Sequence, residues 1–105
     1  MRKDVRYQLR CPVAFVVDGT PGDGSTFNLS HGGCAIETEM FVAVNDPISM
    51  QITVSTQPTP ITIELGKVRW STRREFGVEF MVLEGASKRR LDDFLLLAAK
   101  DKLTS

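Results

Sequence analysis

The chain of 105 residues carries no net charge and holds only two cysteines, one histidine, one tryptophan and one tyrosine. Each shortage excludes something. With 13 cations against 13 anions, the body does not suit a general coat for a long polyanion, so a nucleic-acid polymer is not an expected partner. Cys11 and Cys34 are far apart and have no second pair, so no metal site is expected. They read as two small, semi-buried thiols, with a disulfide between them left open. His31 has no carboxylate or nucleophile at a recognisable spacing, and no glycine-rich phosphate loop with lysine and Ser/Thr occurs. An enzyme is therefore not expected. No apolar run approaches the roughly 18 residues that span a bilayer. The start, Met1-Arg2-Lys3-Asp4-Val5-Arg6, has no apolar stretch behind it, so neither membrane insertion nor a secretory leader is expected. The expected compartment is a reducing cytoplasm. Asn28-Leu29-Ser30 matches a glycosylation sequon, which is discounted in a chain with no secretion signal.

What is present is an ordinary globular composition, 42% apolar and 25% charged, which excludes disordered and fibrous classes. The length suits one domain, because two would each be too small to bury a core. The expected layout is a single unit over 1–105, with a basic arm at 1–10, a barrel at 11–83 and a helix at 87–102. Pro12-Val13-Ala14-Phe15-Val16-Val17 is β-branched and aromatic, and the Gly/Pro/Asp cluster at 18–25 reads as a turn or mobile loop. Thr26–Leu29 and Cys34–Thr38 read as short strands on either side of a loop. Ile48–Val54 and Ile61–Leu65 alternate apolar and polar, the period of a half-buried strand. The second continues through Gly66 to Trp70, and a mid-strand glycine predicts a bulge or bend. Ser71–Arg74 is a polar turn before Phe76–Val82. Beyond it, Leu91, Phe94, Leu95 and Ala98 make one face of a helix, with Ser87 as N-cap and Gly85 as breaker. Leu96, Leu97 and Ala99 widen the apolar stripe. A helix wedged across the barrel explains that surplus, and a homodimer contact is the alternative. The sum is a mainly β fold: a six-stranded antiparallel barrel with a C-terminal helix.

Two clusters carry candidate chemistry. The arm holds Arg2, Lys3, Arg6 and Arg10 against Asp4, four charges against one, or +3. Such an arm on a neutral body suits a small anionic ligand. Arg2 and Arg6, four apart, can converge on one anion, because guanidinium forks onto phosphate oxygens or a guanine Hoogsteen edge and stacks on purines. Read alone, the arm fits a solvated terminus better, as most charged termini are only solvated. The second cluster, Asn28-Leu29-Ser30-His31-Gly32-Gly33, offers polar side chains for a base edge and glycines that let a ligand approach the backbone. Read alone, it is a tight turn in which Asn28 and Ser30 bond their own backbone.

Together and in this order, RxxxR (Arg2, Arg6) and (D/N)xSxxG (Asn28, Ser30, Gly33) resemble the PilZ domain family. Leu65-Gly66-Lys67-Val68-Arg69-Trp70 followed by Phe76-Gly77-Val78-Glu79-Phe80 resembles that family's later strand pair, and Cys11-Pro12-Val13 sits where its first strand begins. The resemblance covers nearly the whole chain. It implies a bacterial receptor for cyclic di-GMP, acting on a downstream protein partner. Arg2 and Arg6 would form the clamp, Asn28 and Ser30 the polar contacts, and Gly33 the close backbone approach. Trp70 falls where some members place an aromatic near the base, and a core role for it is the alternative. The chain departs from the pattern in having Asn28 for the commoner Asp and Met1 where many members have a further arginine. The implied switch is an arm that orders on the ligand, and the rival reading is a ligand-independent protein–protein adaptor.

Overall fold

The computed structural model describes residues 5–104, with side chains through Lys100. Strand β1 (Pro12–Val17) buries Val13, Phe15 and Val17 and exposes the residues between them, the alternation that one-sided burial demands. It turns back through Asp18 and Gly19, both at positive φ (52° and 76°). That is a two-residue hairpin turn whose handedness matches the strand twist. Strand β2 (Thr20–Leu29) therefore begins inside the segment expected to be a loop. Thr20 and Pro21 pair with Val17 and Val16. The Asp-Gly turn fixes this register, and hairpin geometry overrides the weak strand propensity of residues 20–25. Pro21 is tolerated because β3 pairs with β2 only from Ser25 onward, leaving this end an edge.

The remaining strands are β3 (Gly33–Glu37), β4 (Pro47–Ile52), β5 (Ile61–Ser71) and β6 (Glu75–Val82). All pairings are antiparallel, and the order β1-β2-β3-β6-β5-β4 closes through β4 on β1. Closure leaves no strand with a wholly unpaired edge, the start of β2 being the part that extends past its β3 neighbour. Gly66 lies at one register shift of β5, between Leu65 and Gly66, as its position predicted. The barrel is filled from every strand, with Phe15 and Phe76 meeting edge to face at 5.4 Å, the arrangement ring quadrupoles favour.

Helix α1 (Gly85–Thr104) starts two residues earlier than expected. The Glu84 carbonyl accepts the Lys88 N–H at 2.9 Å, so Ser87 lies within the first turn and does not cap it. Gly85 is the helix's first residue, not a breaker ahead of it. Leu91, Phe94 and Leu95 are buried against the barrel, while Leu96 and Leu97 stay exposed. Arg90 fastens the helix to the β4–β5 connection: it donates to Gln57 Oε1 (2.7 Å), to the Pro60 carbonyl (3.0 Å) and to that of Thr59. Among the described residues no helix is long and apolar enough to cross a membrane.

Candidate functional site

The arm is positioned by two devices. Tyr7 forms a β-bridge to Leu29, exchanging two backbone hydrogen bonds of 2.9 Å. Nearer the barrel, the buried Thr26 hydroxyl donates to the Leu9 carbonyl (2.6 Å) and accepts the Cys11 N–H (2.9 Å). The chain from Tyr7 to Cys11 thus continues the line of β1 alongside β2. The expectation of an arm that is free until a ligand arrives is narrowed accordingly, because from Tyr7 onward it is already held by backbone pairing. Arg2 lies outside the described residues.

The antiparallel bridge of Tyr7 to Leu29 leaves Arg6 and Asn28 diagonal to one another, within reach of the long arginine side chain. Arg6 Nη1 donates to Asn28 Oδ1 at 2.9 Å. Asn28 is aimed there by a bulge: Thr26 faces Ile36 and Asn28 faces Ala35, with Phe27 unpaired between them. A bulge of this kind re-aims a side chain. Arg6 and Asn28 form one wall of an open cavity of about 540 Å³, within the size range of small-molecule sites. Its floor includes Gly32, Cys34 and Ala35, and its far wall is Arg69, Trp70, Gly77 and Glu79 from β5 and β6.

Trp70 is 41% exposed, so it belongs to this wall and not to the core. Its cross-strand partner is Gly77, and the indole lies so close over that glycine that a Cβ there would overlap the ring. Gly77 makes room for the tryptophan to lie flat.

The two remaining motif residues sit deeper. Ser30 is fully buried. Its hydroxyl accepts the N–H groups of Gly32 (3.3 Å) and Gly33 (3.1 Å) and donates to the Gly33 carbonyl (3.2 Å). Ser30 therefore shapes the turn that carries Gly32 into the cavity. Gly33 is also buried, and what a Cβ there would strike is the Val78 carbonyl of β6. The close approach at Gly33 is thus between strands β3 and β6. His31 points away from the cavity and pairs with Asp92 of α1 at 3.3 Å.

Cys11 and Cys34 are free and buried. Burial pushes the Cys34 thiol up to about 12, against the downward pull of the Arg6 charge. Burial also raises Cys11, opposed by its hydrogen bond with Thr26. Both are therefore unreactive thiols at neutral pH. Among the described residues no group of three metal-ligating side chains occurs.

The family model for the PilZ domain matches residues 1–97. The chain belongs to the PilZ domain family. Among solved structures, this PilZ domain resembles the Bacillus subtilis inhibitor of motility MotI/DgrA, with TM-score 0.77 and 16% identity over 100% of this chain. It covers 53% of that protein, so it spans about half its length. It also resembles the PilZ domain of CeSA from a cellulose-synthesizing bacterium, with TM-score 0.66 and 12% identity over 83% of this chain and 90% of that one. Among curated protein sequences none matches.

Among the residues of this PilZ domain's cavity that sequence reasoning did not assign to a site are Arg69, Gly77 and Glu79. Strict alternation would place Trp70 on the same face as the buried Val68, with Arg69 alone outside. Instead β5 bulges between Val68 and Trp70, and Arg69 and Trp70 both emerge outward. The one available signal was a charged and an aromatic residue side by side, followed on the next strand by a glycine.

A second cavity, of about 660 Å³, lies between Tyr7–Pro12, the β4–β5 connection and Phe94, Leu97 and Ala98 of α1. It is the larger and more apolar of the two, but it contains none of the motif residues.

Proposed function

We propose that this PilZ domain is a cyclic di-GMP receptor of the bacterial cytoplasm, a binding module and not an enzyme. The observation that carries the reading is the Arg6–Asn28 hydrogen bond at the edge of a cavity faced by Trp70. The guanidinium supplies a permanent charge and a donor fork for phosphate or a guanine edge. The exposed indole offers a surface on which a purine can stack. Gly32 brings backbone, unshielded by a side chain, to the cavity.

In this reading Arg6 exchanges the neutral Asn28 carbonyl for a phosphate oxygen or a guanine acceptor. Asn28 is then released to contact a base edge. Arg2, four residues earlier on the same arm, adds the second cation of the clamp. Because Tyr7 is anchored to Leu29 by two backbone hydrogen bonds, the ligand does not have to order the base of the arm, a saving of about 1–2 kcal/mol for each residue already held. The covered cavity and drawn-down arm form a surface that a protein partner recognises, which is ordering of a segment used as a switch. MotI/DgrA is named as an inhibitor of motility, and output through a partner protein is the corresponding role proposed here. Ser30 and Gly33 serve the receptor by holding the turn.

Calorimetric titration tests this. Cyclic di-GMP is expected to bind with a Kd near the micromolar range, about −8 kcal/mol. Arg2→Ala with Arg6→Ala is expected to abolish the heat, and GTP and a short single-stranded RNA are expected to give none. An adaptor that works without ligand would show no heat with any of the three and would keep its partner in the double variant.

A further inference from the structure

Resting on the receptor reading, we infer that Arg69 is a third cationic contact for the guest, and that Glu79 is a built-in competitor that holds Arg69 and limits affinity. Three observations lead there. The first is the bulge. Val68 pairs with Val78 and Trp70 with Gly77, so Arg69 is the extra residue with no partner opposite. A regular strand would send two consecutive side chains to opposite faces. Here Arg69 and Trp70 share the outer face and the same cavity.

The second is the ion pair. Arg69 Nε donates to Glu79 Oε1 at 2.6 Å, and Nη2 approaches that same oxygen. Both nitrogens end on one oxygen, which is not the parallel two-oxygen fork that gives such pairs most of their strength. The side chains are 47% and 49% exposed. An exposed pair of this kind contributes little net stability and is readily exchanged.

The third is the symmetry of the cavity. Arg6 on the arm wall and Arg69 on the sheet wall each rest on an acceptor inside it, Asn28 and Glu79 respectively. The first acceptor is neutral and the second is charged. A guest with two phosphates meets two guanidiniums and one carboxylate, and the carboxylate opposes it. Lys67 stands directly opposite Glu79 in register, so a carboxylate displaced from Arg69 has a second cation on the neighbouring strand.

If Arg69 and Glu79 were only a strap between β5 and β6, removing either would act in the same direction. A contact and its competitor act in opposite directions. The experiment is therefore titration of the full chain with cyclic di-GMP for wild type, Arg69→Ala, Arg69→Lys and Glu79→Gln, with thermal melts of each. Glu79→Gln is expected to tighten binding about two- to fivefold, the range set by one exposed ion pair. Arg69→Ala is expected to weaken it about tenfold, with Arg69→Lys between, and the gain in Glu79→Gln should shrink at high salt. Glu79→Gln and Arg69→Ala weakening binding alike, or both leaving it unchanged, overturns the inference. If in that case wild type still binds and Arg6→Ala still loses binding, the receptor reading stands. No binding by wild type overturns both.

Discussion

The indole of Trp70 covers Gly77, its partner across β5 and β6, so closely that the smallest side chain added to the glycine would overlap the ring. Tryptophan placement in the cavity therefore depends on the absence of a side chain on the next strand. Gly77→Ala is expected to push the indole outward and to cost about 1–3 kcal/mol through overpacking. Since Trp70 is the sole tryptophan, its emission reports the change directly. A red-shifted spectrum and a lowered melting temperature are expected, and an unchanged spectrum contradicts the placement.

Thr26 is the pin that fixes the arm's base. Its buried hydroxyl bonds both the Leu9 carbonyl and the Cys11 N–H. Thr26→Val keeps the shape and leaves both backbone groups without that partner. A buried polar group left unmatched costs about 1–3 kcal/mol. Urea unfolding should show a loss of that size, and hydrogen exchange at Tyr7 and Leu29 should quicken. Equal stability of variant and wild type would refute the pinning role.

The Cys34 thiol gives a pH dependence with a definite sign. Burial lifts it from its ordinary value of 9.0 to about 12, so the folded state holds the proton more tightly than the unfolded state does. Its contribution to stability is complete below pH 9 and is lost as pH rises from 9 toward 12. The steepest loss is about 1.4 kcal/mol per pH unit. Urea midpoints for wild type and Cys34→Ala at about pH 8 and about pH 10.5 should therefore converge at the higher pH, the variant lacking this group's loss. A constant gap between the two proteins would contradict it.

Much of the fold could be read from alternation. Val13, Phe15 and Val17, and Ile48, Met50 and Ile52, are buried as period two requires, and Leu91, Phe94 and Leu95 as a helical face requires. The segment at 20–25 was not legible, because glycine, proline and aspartate disfavour strands locally and the pairing came from the Asp18-Gly19 turn. In the site, Arg6, Asn28 and Trp70 do converge on one cavity. Arg69 was hidden because a bulge in β5 breaks the very period from which faces are inferred. Ser30 was legible only by its motif position; in the structure it is fully buried and its hydroxyl bonds Gly32 and Gly33 of the turn.

Receptor binding at this cavity is tested most directly by following backbone and side-chain N–H signals by nuclear magnetic resonance while cyclic di-GMP is added to the full chain. Saturable shifts are expected at the Asn28 amide, at Gly32 and at the Trp70 indole N–H, the groups at the cavity of Arg6 and Arg69. No shifts, or shifts confined to the apolar cavity between Leu9, Cys11 and Leu97, would contradict it.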